Sequence, residues 1–202
     1  MVNQSIATES ESDTKIQILD AAEARFQGYG YGKTTMAEIA VDVDMSAANL
    51  YRYFHNKLDI GEACSNRCLQ GRYDRLRQVT RQTDISAAER LEKFFLENLY
   101  VTHETVSDRP HINEMVELIT TRKPELIRAR IKDIISLLAE ILASGNERGE
   151  FLVEDVVESA TTVHACMILF EVPIFVGLYT LDEYAHQARS VARLLIQGLA
   201  RR

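Results

Sequence analysis

The stretch of residues 34–57 constrains the fold more than any other part of this 202-residue chain. Thr35 and Glu38 have the spacing of a capping box, in which each side chain covers a free backbone amide at a helix start. Ser46 has the character of a second N-cap, so two short helices with a tight connection are predicted. Such a pair is typical of a helix-turn-helix, whose second helix enters the major groove of DNA.

The two predicted helices have distinct inner and outer faces. Apolar side chains recur at helical spacing in the first: Met36, Ile39, Ala40 and Val43. In the second, Leu50 and Phe54 lie one turn apart and are expected to point inwards. Asn49, Arg52 and Tyr53 then project outwards, where a polar and aromatic surface suits contact with DNA.

The amino-acid sequence of this stretch resembles that of the TetR family of transcriptional regulators. The matching residues are Thr34, Thr35, Ile39, Ala40, Ser46, Leu50, Tyr51, Tyr53, Phe54 and Lys57. The sequence differs from the family at residues 43–45, where Val-Asp-Met replaces Ala-Gly-Val, and at Ala48, where glycine is frequent. The resemblance implies a DNA-binding regulator, in most cases a repressor that a small-molecule effector releases from its operator.

The expected DNA contacts divide into backbone contacts and base contacts. Free amides at the helix starts favour phosphates near Ser46 and near Thr34 or Thr35. The resemblance assigns further phosphate contacts to Tyr51 and Lys57. Base edges would be read by side chains of the second helix: Ala47, Ala48, Asn49, Arg52 and Tyr53. A dimer would place two such helices in successive major grooves, so a near-palindromic double-stranded operator is expected.

Several of these residues also have a purely structural interpretation. The amphipathic ring of Tyr51 suits the core as well as a phosphate, and Phe54 suits the core better. Asn49 and Arg52 would form only a solvated helix face under this interpretation. Most arginines within residues 67–81 are expected on a solvated surface.

The charge of the chain opposes DNA binding overall but not locally. The net charge is −7, and residues 1–70 hold ten acidic and six basic side chains. Lys33, Arg52 and Lys57 nevertheless flank the second short helix. Non-specific affinity for DNA should therefore be modest and should fall strongly with salt. The acidic head, together with Asp44, leaves open an adaptor whose helix-turn-helix binds a protein partner instead.

Beyond the motif, the sequence predicts an all-α protein of about nine helices, because glycine and proline are scarce and no run alternates like a strand. Residues 1–13 are expected to form a flexible arm. A three-helix DNA-binding domain is expected over residues 14–60, with the helix-turn-helix at about 34–54. A larger helical domain for effector binding and dimerisation, as the resemblance implies, would occupy residues 61–202.

The later helices have recognisable starts. Ser86 and Glu89 have capping-box spacing, while Pro110 and Pro124 suit first turns. Helices outside the motif are expected at about residues 15–26, 58–80, 86–106, 110–121, 124–143, 155–178 and 182–199. The resemblance implies that the last two pair with their copies in a homodimer. No membrane span is expected, because charged residues and Pro173 interrupt the apolar stretch 156–181.

An effector pocket in the second domain is suggested by ionisable and aromatic residues in apolar surroundings. The candidates are Phe94, Asn98, His103, Glu114, Met115, Leu118, His164, Met167, Phe170 and Glu171. Such side chains are more often satisfied core groups than ligand contacts. A small helical enzyme with a buried carboxylate–histidine site remains a further alternative.

No catalytic residue, cofactor or metal site is assigned, since the common hydrolase, metalloprotease and nucleotide-binding motifs are absent from the sequence. Cys64 and Cys68 lie one helical turn apart but lack a second pair at zinc-finger spacing, so inert thiols are expected. Three cysteines and a polar N-terminus without an apolar core segment favour the cytoplasm.

Overall fold

A computed structural model describes residues 2–109 and 111–200, with side chains from residue 11 onwards. Its α-helices are α1 (Val2–Tyr29), α2 (Met36–Asp42), α3 (Ala47–Tyr53), α4 (Lys57–Thr80), α5 (Ala87–Asp108), α6 (Ile112–Arg122), α7 (Pro124–Glu147), α8 (Val156–Ala165), α9 (Ile168–Glu171) and α10 (Leu181–Leu199). Over these ranges the only extended pairing is one antiparallel bridge between Phe151 and Ala200. The all-α prediction is confirmed.

The first helix is longer than expected. It begins at Val2, so the prediction of a flexible arm over residues 1–13 is wrong for residues 2–13. Neither glycine nor proline occurs before Gly28, and Glu11 and Lys15 form an i,i+4 ion pair of 3.5 Å that supports helix in the polar segment. The helix ends before Gly30, whose φ of 87° requires a residue without a Cβ.

The apolar stretch predicted as one helix over residues 155–178 is interrupted. Helix α8 ends at Ala165, the four-residue α9 follows, and Pro173–Phe175 form a 3₁₀ turn. Pro173 lacks the amide that a continuing helix needs, and Gly177 has a φ of 110°. The described residues therefore contain ten α-helices rather than about nine. None of these helices is long and apolar enough to cross a membrane.

The predicted starts of the other long helices agree with the structure. Helix α5 begins after Ser86, whose backbone amide and hydroxyl both donate to Glu89 Oε2 at 3.0 and 2.8 Å. Helix α7 begins at Pro124. The start expected at Pro110 lies outside the described residues, and α6 is assigned from Ile112.

The chain divides into two compact units. The first contains residues up to 68 together with 108–124, and the second contains residues 69–107 together with those from 125 onwards. The first boundary between the units lies after residue 68, within α4, whereas the sequence suggested a boundary after residue 60. Helix α6, which the sequence grouped with the effector domain, belongs to the unit that carries the helix-turn-helix.

The core of the first unit is formed by apolar side chains from five helices. They are Ile18, Ala22 and Phe26 of α1, Met36, Ile39 and Ala40 of α2, Leu50 of α3, Ile60 and Cys64 of α4, and Met115 and Ile119 of α6. Burial of these side chains fixes α2 and α3 against α1 and supports the outward face of α3.

The core of the second unit is larger and contains its own aromatic cluster. Phe170 lies with ring centroids 6.3 Å from Phe95 and 6.4 Å from Tyr184, both in edge-to-face geometry. At the end of α7, Gly145 lies so close to Phe151 that an added Cβ would be 2.1 Å from Cδ2 of the ring. Glycine is required here by close packing.

Candidate nucleic-acid interface

Both short helices begin with the caps that the sequence predicts. Thr35 Oγ1 accepts a hydrogen bond from the Glu38 amide at 3.3 Å, and Glu38 Oε2 accepts from the Thr35 amide at 2.8 Å. Ser46 Oγ accepts from the Asn49 amide at 3.2 Å and caps α3. The remaining amides in the first turn of α3 lie at an exposed helix start, which favours an anion.

The turn between the helices depends on Asp44. This residue has a φ of 52°, in the left-handed region, at the position where the sequence resemblance leads us to expect glycine. The next amide, that of Met45, then donates to the Ala40 carbonyl at 2.9 Å and closes the turn. Aspartate tolerates the left-handed region better than most residues, so the turn geometry is kept and a carboxylate is added next to α3.

Helix α3 exposes two of its five expected base-reading residues fully and the other three in part. Ala48, Tyr51 and Arg52 are exposed, while Ala47, Asn49 and Tyr53 are half-buried. Leu50 is completely buried, as predicted, and holds the helix on the core. Tyr51 is 48% exposed, which rules out the core interpretation of its ring and leaves its hydroxyl available.

Thr34 differs from the expectation. Its side chain is 2% exposed, and its hydroxyl donates to the Gly30 carbonyl at 2.9 Å. The residue therefore holds the turn after α1 and does not present a donor at the surface. Thr35 is the exposed member of the threonine pair.

Lys57 is also engaged within the fold. Its ammonium donates to the carbonyl oxygens of Tyr31 and Thr34, both at 2.7 Å, and lies 4.3 Å from the centre of the Tyr31 ring. Burial lowers the pKa of Lys57, while nearby Glu114 opposes that shift. Two of its three N–H groups are therefore used, and one remains for a phosphate.

Two arginines of the first unit are bound to carboxylates of the same unit. Arg25 donates to Asp42 and lies 3.5 Å from Glu38 Oε1. The hydrogen bond from Arg25 holds the pKa of Asp42 below its ordinary value. In the same way, Arg67 lies 2.7 Å from Asp20 and 2.9 Å from Glu23, so it is committed to α1.

Two cations remain uncommitted near α3. Lys33 and Arg52 are exposed and take part in no ion pair with any residue that the structure describes. These two side chains are the basic groups of this region that remain available to an anion such as a phosphate.

The second unit brings several of the predicted effector residues together. Phe94, Asn98, His164, Met167 and Phe170 are buried, and Glu171 is half-buried. Glu171 lies 3.2 Å from His164 Nε2 and 3.2 Å from Arg72 Nη2. Burial raises the pKa of Glu171, but Arg72 and His164 outweigh it and hold that pKa below its ordinary value. The carboxylate is therefore ionised.

Arg72 is a central member of this cluster, although its sequence suggested a solvated arginine. Its guanidinium donates to Asn98 Oδ1 and to the Glu171 carbonyl at 3.4 Å. A signal was present, because Arg72 precedes the buried Leu76 by four residues and Val79 by seven, so it falls on the apolar face of α4.

The other predicted effector residues are not part of this cluster. Glu114 and Met115 belong to the first unit, with Glu114 Oε2 accepting from the Gly32 amide at 3.3 Å. The Met115 sulfur lies 3.5 Å from the position of a Cβ on Gly61. Leu118, in the same unit, and His103, on α5, are half-buried.

The Cys64 thiol is not ionised at neutral pH. Burial raises the pKa of Cys64 to about 12, and its thiol lies 3.9 Å from the Leu19 carbonyl oxygen. Across the described parts of the chain, no group of three or more histidine, cysteine or carboxylate side chains is arranged to hold a metal ion.

Comparison with solved structures gives the fold of known regulators. A transcriptional regulator from Cytophaga hutchinsonii ATCC 33406 is 24% identical, with a TM-score of 0.70 over 91% of this chain and 97% of that one. A TetR-family regulator from Mesorhizobium loti MAFF303099 is 18% identical, with a TM-score of 0.74 over 95% and 98%. SmeT, the repressor of the Stenotrophomonas maltophilia efflux pump SmeDEF, is 18% identical, with a TM-score of 0.66 over 93% and 90%.

Comparison with protein families covers both units. Residues 18–64 match the model described as bacterial regulatory proteins of the tetR family. Residues 87–192, more than half of the chain, match the tetracyclin repressor-like C-terminal domain. No curated protein matches the sequence. Because family models match both the helix-turn-helix and most of the remainder, the chain is a transcriptional regulator that belongs to the TetR family.

Proposed function

We propose that this regulator is a homodimeric repressor that binds a near-palindromic operator through α3 and is released by a small-molecule effector bound in its second unit. The observation that carries the proposal is the outward face of α3, where Tyr51 and Arg52 are exposed beside a capped helix start at Ser46. This combination supplies both a phosphate site and groups for base edges.

Side-chain chemistry separates the residues expected to contact bases from those expected to contact phosphates. Arg52 can donate two hydrogen bonds to guanine, and Asn49 can pair with both adenine edge groups. The methyl groups of Ala47 and Ala48 can contact a thymine methyl, and Tyr53 borders the same surface. Phosphate contacts fall to Tyr51, Thr35, the amides near Ser46 and the remaining N–H of Lys57. Thr34 has no direct role.

Dimerisation is supported by unpartnered apolar surface on the second unit. Val157 on α8 is 65% exposed and Leu194 on α10 is 70% exposed. Ile174 and Leu178, in the connection between these helices, are 66% and 63% exposed. Large exposed apolar side chains grouped on neighbouring elements mark an interaction surface. Pairing of α8 and α10 with their copies would bury them, as family membership leads us to expect.

Effector control is proposed for the second unit, where buried polar side chains are surrounded by aromatic ones. SmeT, which shares the fold, has been solved as a triclosan complex. Helix α4 contributes residues to both units, so a ligand that favours one arrangement of its second half can bias the first. A regulator that binds the chromosome would act in the cytoplasm.

The direct test is selection of the full-length protein on a randomised duplex library, followed by fluorescence anisotropy on the enriched sequences over a salt series. We expect a near-palindrome whose affinity falls steeply with salt. Asn49→Ala should lower affinity for the selected site by about 1–3 kcal/mol and relax specificity at one base pair of each half-site.

Gln78→Ala provides the matched control, because Gln78 is an exposed amide of α4 in the second unit. It should leave affinity and specificity unchanged. Absence of any enriched sequence at low salt would contradict operator binding, and the helix-turn-helix would then have to be tested for a protein partner.

A further inference from the structure

We propose that the buried donors of the second unit form a carboxylate-binding site, occupied by the side chain of Glu171 in the free protein and by an amphipathic monocarboxylic acid in the bound state. The inference rests on the proposed function where the acid is named as the effector. The binding event itself does not depend on DNA.

The donors around Glu171 form a fork that suits a carboxylate. Arg72 Nη2 lies 3.2 Å from Oε1 and His164 Nε2 lies 3.2 Å from Oε2, so each carboxylate oxygen faces a different nitrogen. The three side chains are 13%, 10% and 16% exposed. Arginine beside a carboxylate oxygen is a common element of carboxylate recognition in proteins.

The site offers more donors than Glu171 uses. Arg72 Nε and Asn98 Nδ2 are buried and have no hydrogen-bond acceptor among the residues that the structure describes. His164 Nε2 and Glu171 Oε2 lie 3.2 Å apart but do not have the geometry of a hydrogen bond. Asn98 is completely buried, and its Oδ1 accepts from Arg72, which orients the amide nitrogen within the cluster. Buried donors without partners are costly, so an occupant with better-placed oxygens would be favoured over Glu171.

Glu171 is attached to a short element, whereas its partners are on longer ones. Arg72 lies within α4, Asn98 within α5 and His164 within α8. Glu171 is the last residue of the four-residue α9, and Val172 follows in an extended conformation. Its side chain can therefore leave the donors by rotation about its own bonds while the long helices stay in place.

Charge balance requires that a departing Glu171 be replaced. The Arg72 guanidinium is always protonated, and a buried cation without a counter-ion is strongly destabilising. A neutral ligand cannot restore the balance, but a second carboxylate can. The exchange of one carboxylate for another keeps the buried charge at Arg72 neutralised and selects acids over amides, alcohols and amines.

The apolar surroundings define the rest of the ligand. Phe94 and Phe95 precede Asn98 by about one turn of α5, and all three are buried. Met167 precedes Glu171 by four residues and is also buried. An acid bound at these donors would have such side chains as neighbours, which favours a hydrocarbon or aromatic tail.

The test is isothermal titration calorimetry of the full-length protein, without DNA, with straight-chain monocarboxylates from acetate to decanoate, benzoate and phenylacetate. Each acid is compared with its primary amide. We expect at least one acid to bind with one site per chain and its amide to bind about tenfold more weakly or worse. Equal binding of every acid and its amide, or no binding by any of them, would overturn the proposal.

Two variants separate a binding site from a structural ion pair. Glu171→Gln removes the carboxylate that competes with the acid, so affinity for the acid should rise by about fivefold or more. The variant should have a lower thermal midpoint than the wild type, and added acid should raise that midpoint again. A purely structural Glu171 would give a lower midpoint and no gain in affinity. Arg72→Gln should abolish acid binding, and the wild-type and Glu171→Gln data decide the matter if that variant does not fold.

Arg75→Gln is the matched control, since Arg75 lies on the same helix and is bound to Glu97 and Glu104 instead. It should bind the acid as the wild type does. Acid binding without operator selection would leave this inference standing and contradict the proposed function. Operator selection without any acid binding would support the proposed function and contradict this inference.

Discussion

The ammonium of Lys57 is held by the backbone of Tyr31, with Nζ 2.7 Å from the carbonyl oxygen and 4.3 Å from the centre of the ring. A basic residue expected at the DNA backbone therefore also fixes the turn between α1 and α2. Together with the hydrogen bond to the Thr34 carbonyl, this contact joins the start of α4 to the turn between α1 and α2.

Replacement of Lys57, and so loss of its contacts with the turn between α1 and α2, should destabilise the protein. Lys57→Gln should lower the free energy of unfolding by about 1–3 kcal/mol, because two carbonyl groups lose a charged donor. Lys33→Gln is the control, since it removes the same charge from an exposed side chain and should change stability by less than about 0.5 kcal/mol. Urea unfolding at neutral pH measures both. Equal stability of the two variants would contradict a stabilising role for the Lys57 contacts.

Replacement of Asp44 should raise the affinity for operator DNA and, where glycine is introduced, also the stability of the fold. Asp44→Gly removes the strain of a left-handed φ and should raise the free energy of unfolding by up to about 1 kcal/mol. Asp44→Asn keeps the strain but removes the charge. Both variants should bind operator DNA more tightly at low salt, whereas only the glycine variant should be more stable. Anisotropy and urea unfolding separate the two effects, and unchanged DNA affinity in both variants would contradict the electrostatic role.

Two helical glycines should respond to alanine in opposite ways. Gly145→Ala places a Cβ 2.1 Å from the Phe151 ring and should destabilise the protein by about 1–3 kcal/mol. Gly71→Ala meets no atom within 4 Å among the described residues and should stabilise it by about 0.4–1 kcal/mol, as alanine favours helix. Thermal unfolding followed by circular dichroism measures both changes. The same sign for both would contradict the packing argument.

The proposed dimer should depend on α10. Leu194→Glu introduces a charge into the surface that we expect to pair with its copy, so the variant should sediment as a monomer at concentrations where the wild type is a dimer. Ile16→Glu is the control, because Ile16 is 49% exposed but lies on α1 in the first unit. Its sedimentation coefficient should match that of the wild type, and a dimeric Leu194→Glu variant would exclude this surface.

Acid should weaken the folded state through its helix caps. Hydrogen bonds from Thr180 hold the pKa of Glu183 below its ordinary value, and those from Ser86 do the same for Glu89. The unfolded chain binds these protons more readily, so the contribution of each cap is complete above about pH 5 and is lost as the pH falls through the folded pKa. Glu183→Gln should show a smaller loss of stability between neutral pH and pH 3 than the wild type does. An identical pH dependence would contradict the role of this cap.

Features within a few residues of each other were predicted well from the sequence. The boxes at Thr35 and Ser86, and the cap at Ser46, depend on hydrogen bonds over three residues, so the sequence contains both partners at a fixed spacing. The burial of Leu50 and the exposure of Arg52 on α3 were also predicted correctly, whereas Asn49, Tyr53 and Phe54 are half-buried. Local chemistry and helical periodicity were sufficient here.

Features that depend on distant partners were not predictable. The contact of Arg72 with Glu171 joins residues 99 apart, and no spacing rule anticipates it. Thr34 was assigned to DNA because it lies at the expected start of a short helix, whereas in the structure its hydroxyl donates to the Gly30 carbonyl. The length of α1 was missed because polar composition was taken as a sign of disorder, although the segment contains no residue that breaks a helix.

The assignment of α6 to the first unit affects how this protein can be recombined with its relatives. The chain passes between the units three times, after residues 68 and 107 and again after residue 124. A chimaera joined once, within α4, would give the DNA-reading part of one protein the α6 of another, and Met115 and Ile119 would then face a foreign core. Exchange of DNA specificity therefore requires transplanting two separate segments, or only the outward residues of α3.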